Sequence, residues 1–380
     1  MKKISKMVIT VLLGLLSVQG LAAAKPSLIK QLDRFVAMDG ACAWPQLTVL
    51  PNGEIAAVIW PYPNHGFNEG AAECWISSDG GTRWRMTGVP VKNIPGVARL
   101  NVATGLNYAG AFVALIGGFG GKPSVADVAT YKFPAVTPNA EMPIPSVSLD
   151  HGRTWKESLG SVFQQEDGKN LIPYGRIASL GNNELGVMCY RDDVVFYVSK
   201  DGGVSWQKRG VVSRGKVHNE TTWLRLANGD LYAAARTWED GHVDGLRSID
   251  DGVTWKSEGA VALPRQHPAD LTRLPDGRIL LTYGLRNEGI WGVCVRFGDA
   301  DARTWGEPVL LVNMEDATDL ADGVLKKDGG YPSTVVLSNG TLVTAYYTKG
   351  TPAHRRYHVG IVRWNLVDPA TPSQGRNAGN

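Results

Sequence analysis

Five short segments end in tryptophan after a turn-like run. They are "SSDGGTRW" ending at Trp84, "SLDHGRTW" at Trp155, "SKDGGVSW" at Trp206, "SIDDGVTW" at Trp255 and a worn copy, "GDADARTW", at Trp305. Successive tryptophans lie 71, 51, 49 and 50 residues apart. A period of about 50 residues marks a repeat architecture, in which one supersecondary unit recurs along the chain. A second repeat lies upstream of the boxes. "WPQLTVLPNGEIAAVIW" starts at Trp44, "ETTWLRLANGDLYAAAR" at Glu220, "HPADLTRLPDGRILLTY" at His267 and "YPSTVVLSNGTLVTAYY" at Tyr331. Weaker versions start at Arg99 and Tyr174. Each is a pair of short apolar runs around a turn such as Asn-Gly or Asp-Gly, which is a β-hairpin signal.

A third strand leads into each box and a fourth leaves it. Six hairpins, each worth about four strands, predict an all-β chain folded as a six-bladed β-propeller. The sixth blade has no box. Its third strand is predicted at His358 to Leu366, and its fourth from the N-terminal region around Leu28 to Ala37, which closes the ring and leaves no long open edge. The 71-residue step predicts an insertion in blade two, roughly Gly117 to Pro145, rich in Gly and Pro and read as a long surface loop. In the boxes themselves, Asp150 is suited to accept backbone N–H bonds, Gly152 to take a positive φ, and Trp155 to pack into the seam between blades. One cluster repeated around a rim reads as scaffold, since a catalytic set needs different residues converging on one point.

The N-terminus bounds the compartment. Lys2, Lys3 and Lys6 precede an apolar run from Met7 to about Leu21, and "LAAAKPS" follows. That order predicts a signal peptide over residues 1–24, cleaved after Ala24, and an exported protein, periplasmic or secreted, with no remaining membrane span. Losing those lysines takes the formal charge from +3 to near zero, which excludes a nucleic-acid partner. The propeller is expected to occupy residues 25–367 as a monomer, with a disordered polar tail at 368–380. None of the four cysteines forms a CxxC pair, so no metal site and no cofactor are expected. Cys42 and Cys74 are the only near pair; a bridge or two buried thiols are both open.

In a propeller, the starts of first strands and the ends of second strands share one face. The first-strand starts are Trp44, Arg99, Tyr174, Glu220, His267 and Tyr331; the second-strand ends are Trp60, Arg191, Arg236, Arg286 and Tyr347. Arginines beside a Glu and a Tyr suggest an anionic ligand, because guanidinium forks match carboxylates.

Over nearly its whole mature length, and most sharply in blades four to six, the chain resembles the sialidase superfamily, whose Asp-boxes, or bacterial neuraminidase repeats, are similar to the tryptophan boxes here. "NETTWLRLANGDLYAAAR" resembles the segment carrying that family's Glu and one carboxylate-binding arginine, which implies Glu220 and Arg236 in those roles. "LLTYGLRNEGIWGV" is similar to the segment with another such arginine, implying Arg286. "GGYPSTVVLSNGTLVTAYY" resembles the segment with the tyrosine nucleophile, implying Tyr331. The implied activity is an exo-glycosidase that releases a terminal acidic sugar, such as sialic acid, from a glycan. Two departures stand out. The family's first arginine would fall at Ala43, in "CAWPQL"; Arg191 or Arg99 is the available substitute. The loop that carries the family's acid/base aspartate reads "PYPNHGFNEGAAECW", with Glu69 and His65 as candidates and Glu73 as a poorer one. Trp44 and His267 are expected to line the sugar site. A non-catalytic glycan- or protein-binding propeller, and a glycosidase or lyase acting on uronic-acid sugars, are the alternatives.

Overall fold

The computed structural model describes residues 28–42, 44–66, 68–121, 139–314, 328–349, 354 and 356–367. The expected signal peptide, the tail from Asp368, Ala43 and the centre of the blade-two insertion lie outside these residues.

Every regular element described is a strand. After β1 (Leu28–Asp39) come β2 (Gln46–Val49), β3 (Ile55–Ile59), the short β4 (Gly70–Ala71), β5 (Glu73–Ser77) and β6 (Arg85–Gly88). β2, β3, β5 and β6 pair antiparallel in that order. The same meander recurs in β7 (Ala98–Leu106), β8 (Phe112–Phe119), β9 (Ala140–Ser148) and β10 (Lys156–Glu157), and in β11 (Ile172–Gly181), β12 (Glu184–Tyr190), β13 (Val194–Ser199) and β14 (Gln207–Ser213). It recurs in β15 (His218–Arg225), β16 (Leu231–Thr237), β17 (Val243–Ser248) and β18 (Lys256–Ala260). The next copy is β19 (Gln266–Arg273), β20 (Ile279–Asn287), β21 (Ile290–Gly298) and β22 (Val309–Asn313). The last comprises β23 (Gly329–Val336), β24 (Leu342–Lys349) and β25 (Tyr357–Val367), and takes β1 as its fourth strand, antiparallel to β25. A brief parallel contact between β7 and β11 joins two meanders into one nine-stranded sheet, which also holds β4.

The first strands touch one another in order. β2 contacts β7 and β23, β11 contacts β7 and β15, and β19 contacts β15 and β23. The core lies between successive meanders. Leu47, Ile55 and Ala57 pack on Val343, Ala345 and Ile361, and Tyr232 and Ala234 pack on Leu271, Leu281 and Tyr283. Both faces of the inner strands are therefore covered. That is why β3 and β16 read as continuous apolar runs instead of alternating ones.

The boxes form the turns between third and fourth strands, at the opposite end of each meander from the first-strand starts. In the box at Ser148, Gly152 N donates to Ser148 Oγ at 2.8 Å, Thr154 N to Asp150 Oδ1 at 2.8 Å, and Trp155 Nε1 to Gly152 O at 3.1 Å. Gly152 sits at a φ of 84°. Burial alone would raise the Asp150 carboxyl, but the hydroxyls of Thr154 and Ser148 and the N–H groups of Thr154 and Arg153 donate to it, outweigh burial and pull its pKa down to about 2. The indoles reach the neighbouring meander. Trp255 packs on Phe196 of β13, and Trp206 is buried against Val113 and Leu115 of β8. Trp206→Ala should cost about 3–5 kcal/mol of stability, the range for truncating a large buried aromatic. Denaturant melts will measure that loss, and the folded fraction should keep its specific activity.

One expectation is corrected, and one left open is settled. The blade-two insertion is shorter than Gly117 to Pro145, because β8 runs to Phe119 and β9 starts at Ala140, with Gly118 paired to Glu141. The glycines there serve close approach instead of a loop: a Cβ at Gly118 would lie 1.9 Å from Ala98 O, and one at Gly117 would lie 2.5 Å from Pro173 Cδ. Cys42 and Cys74 are not bridged; both are free thiols, fully buried, and burial raises the pKa of each.

Candidate active site

Four first strands carry a β-bulge at their start, and each bulge holds a sequence-predicted residue. Arg99 and Leu100 together oppose Gly118, Asn219 and Glu220 oppose Arg236, His267 and Pro268 oppose Gly284, and Tyr331 and Pro332 oppose Tyr346. An extra residue breaks the in-out alternation and re-aims a side chain that would otherwise follow the pleat. Tyr331 has a φ of 50° and Trp44 a φ of 56°. Bulky residues rarely occupy that left-handed region, and such outliers gather where the surroundings enforce a functional geometry.

Tyr331, Glu220 and Arg236 form one hydrogen-bonded set. Tyr331 Oη donates to Glu220 Oε1 at 2.5 Å, and Arg236 Nη1 donates to Glu220 Oε2 at 2.7 Å and to Tyr331 Oη at 3.4 Å. Burial, and after it the Glu220 charge, raises the Tyr331 pKa, against the opposing pull of Arg236 and Arg286. The phenol is therefore neutral, with a carboxylate in place to take its proton. Burial would lower the Arg236 pKa, yet Glu220 beside it holds it above the ordinary value.

Arg286 lies over the Tyr331 ring, with its guanidinium carbon 5.5 Å from the ring centroid. Its Nε and Nη2 donate to Gly329 O at 3.1 and 2.8 Å, which fixes the plane of the fork and leaves the Nη1 pair for a ligand. His267 is buried nearby. Burial first, and then the charges of Arg236, Arg286 and Arg265, push its pKa down to about 2, so the ring is neutral. Three arginines stand close enough to act on this ring, a cationic setting that suits an anion.

Sequence reasoning missed Asp328. Only 7% exposed, it accepts from Tyr347 Oη at 3.0 Å and Tyr357 Oη at 2.7 Å, is hydrogen-bonded to His65 Nε2, and lies 4.0 Å from Arg286 Nη2. Burial would raise its carboxyl, but His65, Arg286 and Tyr357 hold it well below the usual carboxylate range. Trp44 joins this group to the Tyr331 set, with its ring 5.1 Å from His65 and 6.0 Å from Tyr331.

Other candidates lie apart. Glu69 does not turn toward Tyr331; its Oε2 accepts from Gly96 N at 2.6 Å, because the backbone turn beside it offers a donor. Glu73 accepts from Trp75 Nε1. Arg99 donates to Met142 O on its own meander, and burial lowers its pKa. Arg191 lies over the Phe119 ring. Among the described residues, no group of three or more His, Cys, Asp or Glu is arranged to hold a metal ion.

A family model described as a BNR repeat-like domain matches residues 134–344, more than half of the chain. No curated protein sequence matches. Several solved structures share the fold. A protein of unknown function from Dyadobacter fermentans is 21% identical, with a TM-score of 0.71 over 89% of this chain and 99% of that one. The intramolecular trans-sialidase of Ruminococcus gnavus, solved with oseltamivir carboxylate, is 15% identical, with a TM-score of 0.62 over 88% and 98%. The Trypanosoma rangeli sialidase, solved with sialic acid, is 16% identical, with a TM-score of 0.59 over 90% of this chain and 59% of that one.

Proposed function

Because the chain belongs to the BNR repeat-like domain family of the sialidase superfamily, we propose that it is an exported exo-glycosidase of the sialidase type, acting on a terminal carboxylated sugar. In this reading the six meanders are the blades of a propeller, and the first-strand bulges aim side chains into a pocket on its axis. The observation that carries the reading is the Tyr331–Glu220–Arg236 set. A sugar with a carboxylate on its anomeric carbon repels an anionic nucleophile. A neutral phenol attacks instead, and Glu220 takes its proton as the oxygen–carbon bond forms. Arg236 steadies the charge on Glu220, and Arg286 offers a pre-oriented pair of donors to the sugar carboxylate.

A uronic acid is the second reading. Arg286 is already within 4.0 Å of Asp328, and Ala43 stands where the family has an arginine, so the clamp is weaker than a three-arginine one. The test is a turnover screen of purified protein with aryl glycosides of sialic acid, of uronic acids and of neutral sugars. Turnover confined to carboxylated sugars supports the proposal; turnover confined to neutral sugars, or none at all, overturns it.

A further inference from the structure

A glycosidase of this kind also needs a proton donor for the departing oxygen, and the loop expected to supply an aspartate contains none. The structure places a different pair beside the Tyr331 set. His65, on that loop, is hydrogen-bonded through Nε2 to Asp328, which directly precedes β23 and its nucleophile candidate, Tyr331. Asp328 is the poorer acid of the two. Its side chain is 8% exposed and surrounded by Tyr347, Tyr357, His65 and Arg286, all of which favour the anion. The His65 side chain is 26% exposed, so it reaches solvent while Asp328 is nearly covered. His65 and Tyr331 also share two neighbours: the rings of Trp44 and Tyr347 each contact both. The donor and the nucleophile thus lie about one ring apart.

Resting on the reading above, we infer that His65 is the catalytic acid/base of this site and that Asp328 is its positioning residue, a histidine–aspartate pair in place of a lone aspartate. Asp328 holds Nε2 and so fixes the ring for proton transfer to the departing oxygen. In the first step the Tyr331 oxygen bonds to the anomeric carbon and its proton passes to Glu220. The glycosidic carbon–oxygen bond breaks, and the leaving oxygen takes the His65 proton. In the second step water attacks the anomeric carbon and gives a proton to His65, while the carbon–tyrosine bond breaks and Glu220 returns its proton to the phenolate.

The test uses four substrates: the 4-nitrophenyl glycosides of sialic acid and glucuronic acid, and a disaccharide of each. Nitrophenolate leaves without protonation, whereas a sugar alcohol does not. His65→Gln should lower kcat/KM on the disaccharide by about 10²–10⁴-fold and on the nitrophenyl glycoside by less than about tenfold, the scale of one lost proton transfer. Asp328→Asn should also slow the disaccharide, in kcat more than in KM, and the nitrophenyl glycoside by less than about tenfold. Equal losses on both leaving groups in either variant, or none on the disaccharide, would overturn the pair. Failure of the wild-type protein on all four substrates would overturn the parent reading and the pair with it.

Discussion

Tyr331→Phe is expected to lower kcat by on the order of 10⁴-fold or more, the scale seen when a nucleophile is removed from a catalytic unit. The substitution deletes one oxygen and keeps the ring, which packs on Trp44, Tyr174 and Tyr347. Glu220 loses the bond to Oε1 but keeps Arg236 on Oε2 at 2.7 Å, so its carboxylate stays paired. The melt should therefore shift by no more than the cost of one unmatched buried acceptor, about 1–3 kcal/mol. Glu220→Gln should be slow as well, by about 10²–10⁴-fold, because the buried phenol then has no base for its proton. Single-turnover rates and denaturant melts on the same preparations separate loss of chemistry from loss of fold. A Tyr331→Phe protein as fast as the wild type would remove the phenol from the mechanism.

Arg286→Ala should weaken binding of a carboxylated sugar by about 2–5 kcal/mol, the scale for truncating one partner of a buried charge pair. The same sugar as its neutral amide should lose far less. Arg286 is the cleaner position because Arg236→Ala would also strip Glu220 of its guanidinium and confound binding with chemistry. Calorimetric titration of wild type and variant with acid and amide gives all four values. Equal losses for the two ligands would show that Arg286 supports the pocket wall instead of reading the carboxylate.

The repeat was legible because its causes are local. A Ser-X-Asp-X-Gly turn and its tryptophan satisfy their own hydrogen bonds, as at Ser148 to Trp155, whatever lies elsewhere in the chain. Even the worn copy keeps the chemistry by sliding it: Asp299 accepts from Arg303 N and Thr304 Oγ1, and Ala302 takes the positive φ of the missing glycine. The bulges had a signal that the hairpin reading passed over. Pro268 and Pro332 stand inside apparent inner strands, where a residue without an N–H is confined to edges and bulges. Glu69 and Asp328 were beyond reach for a different reason. Their roles depend on partners far away in sequence, such as the hydrogen bond of His65 to Asp328, and no local pattern encodes a contact across 263 residues. The glycines at 117 and 118 misled because close backbone approach and loop freedom select the same residue.

The most direct measurement is covalent trapping. A 3-fluorosialosyl fluoride should lose its anomeric fluoride to form the glycosyl-enzyme and turn over slowly, since the remaining ring fluorine destabilises the oxocarbenium-like transition state of both steps. Peptide mass analysis of the quenched protein is predicted to find the sugar on Tyr331, and Tyr331→Phe should remain unlabelled. A label on any other residue, or rapid hydrolysis of sialosides by wild type with no label on Tyr331, would contradict a tyrosine nucleophile in this fold.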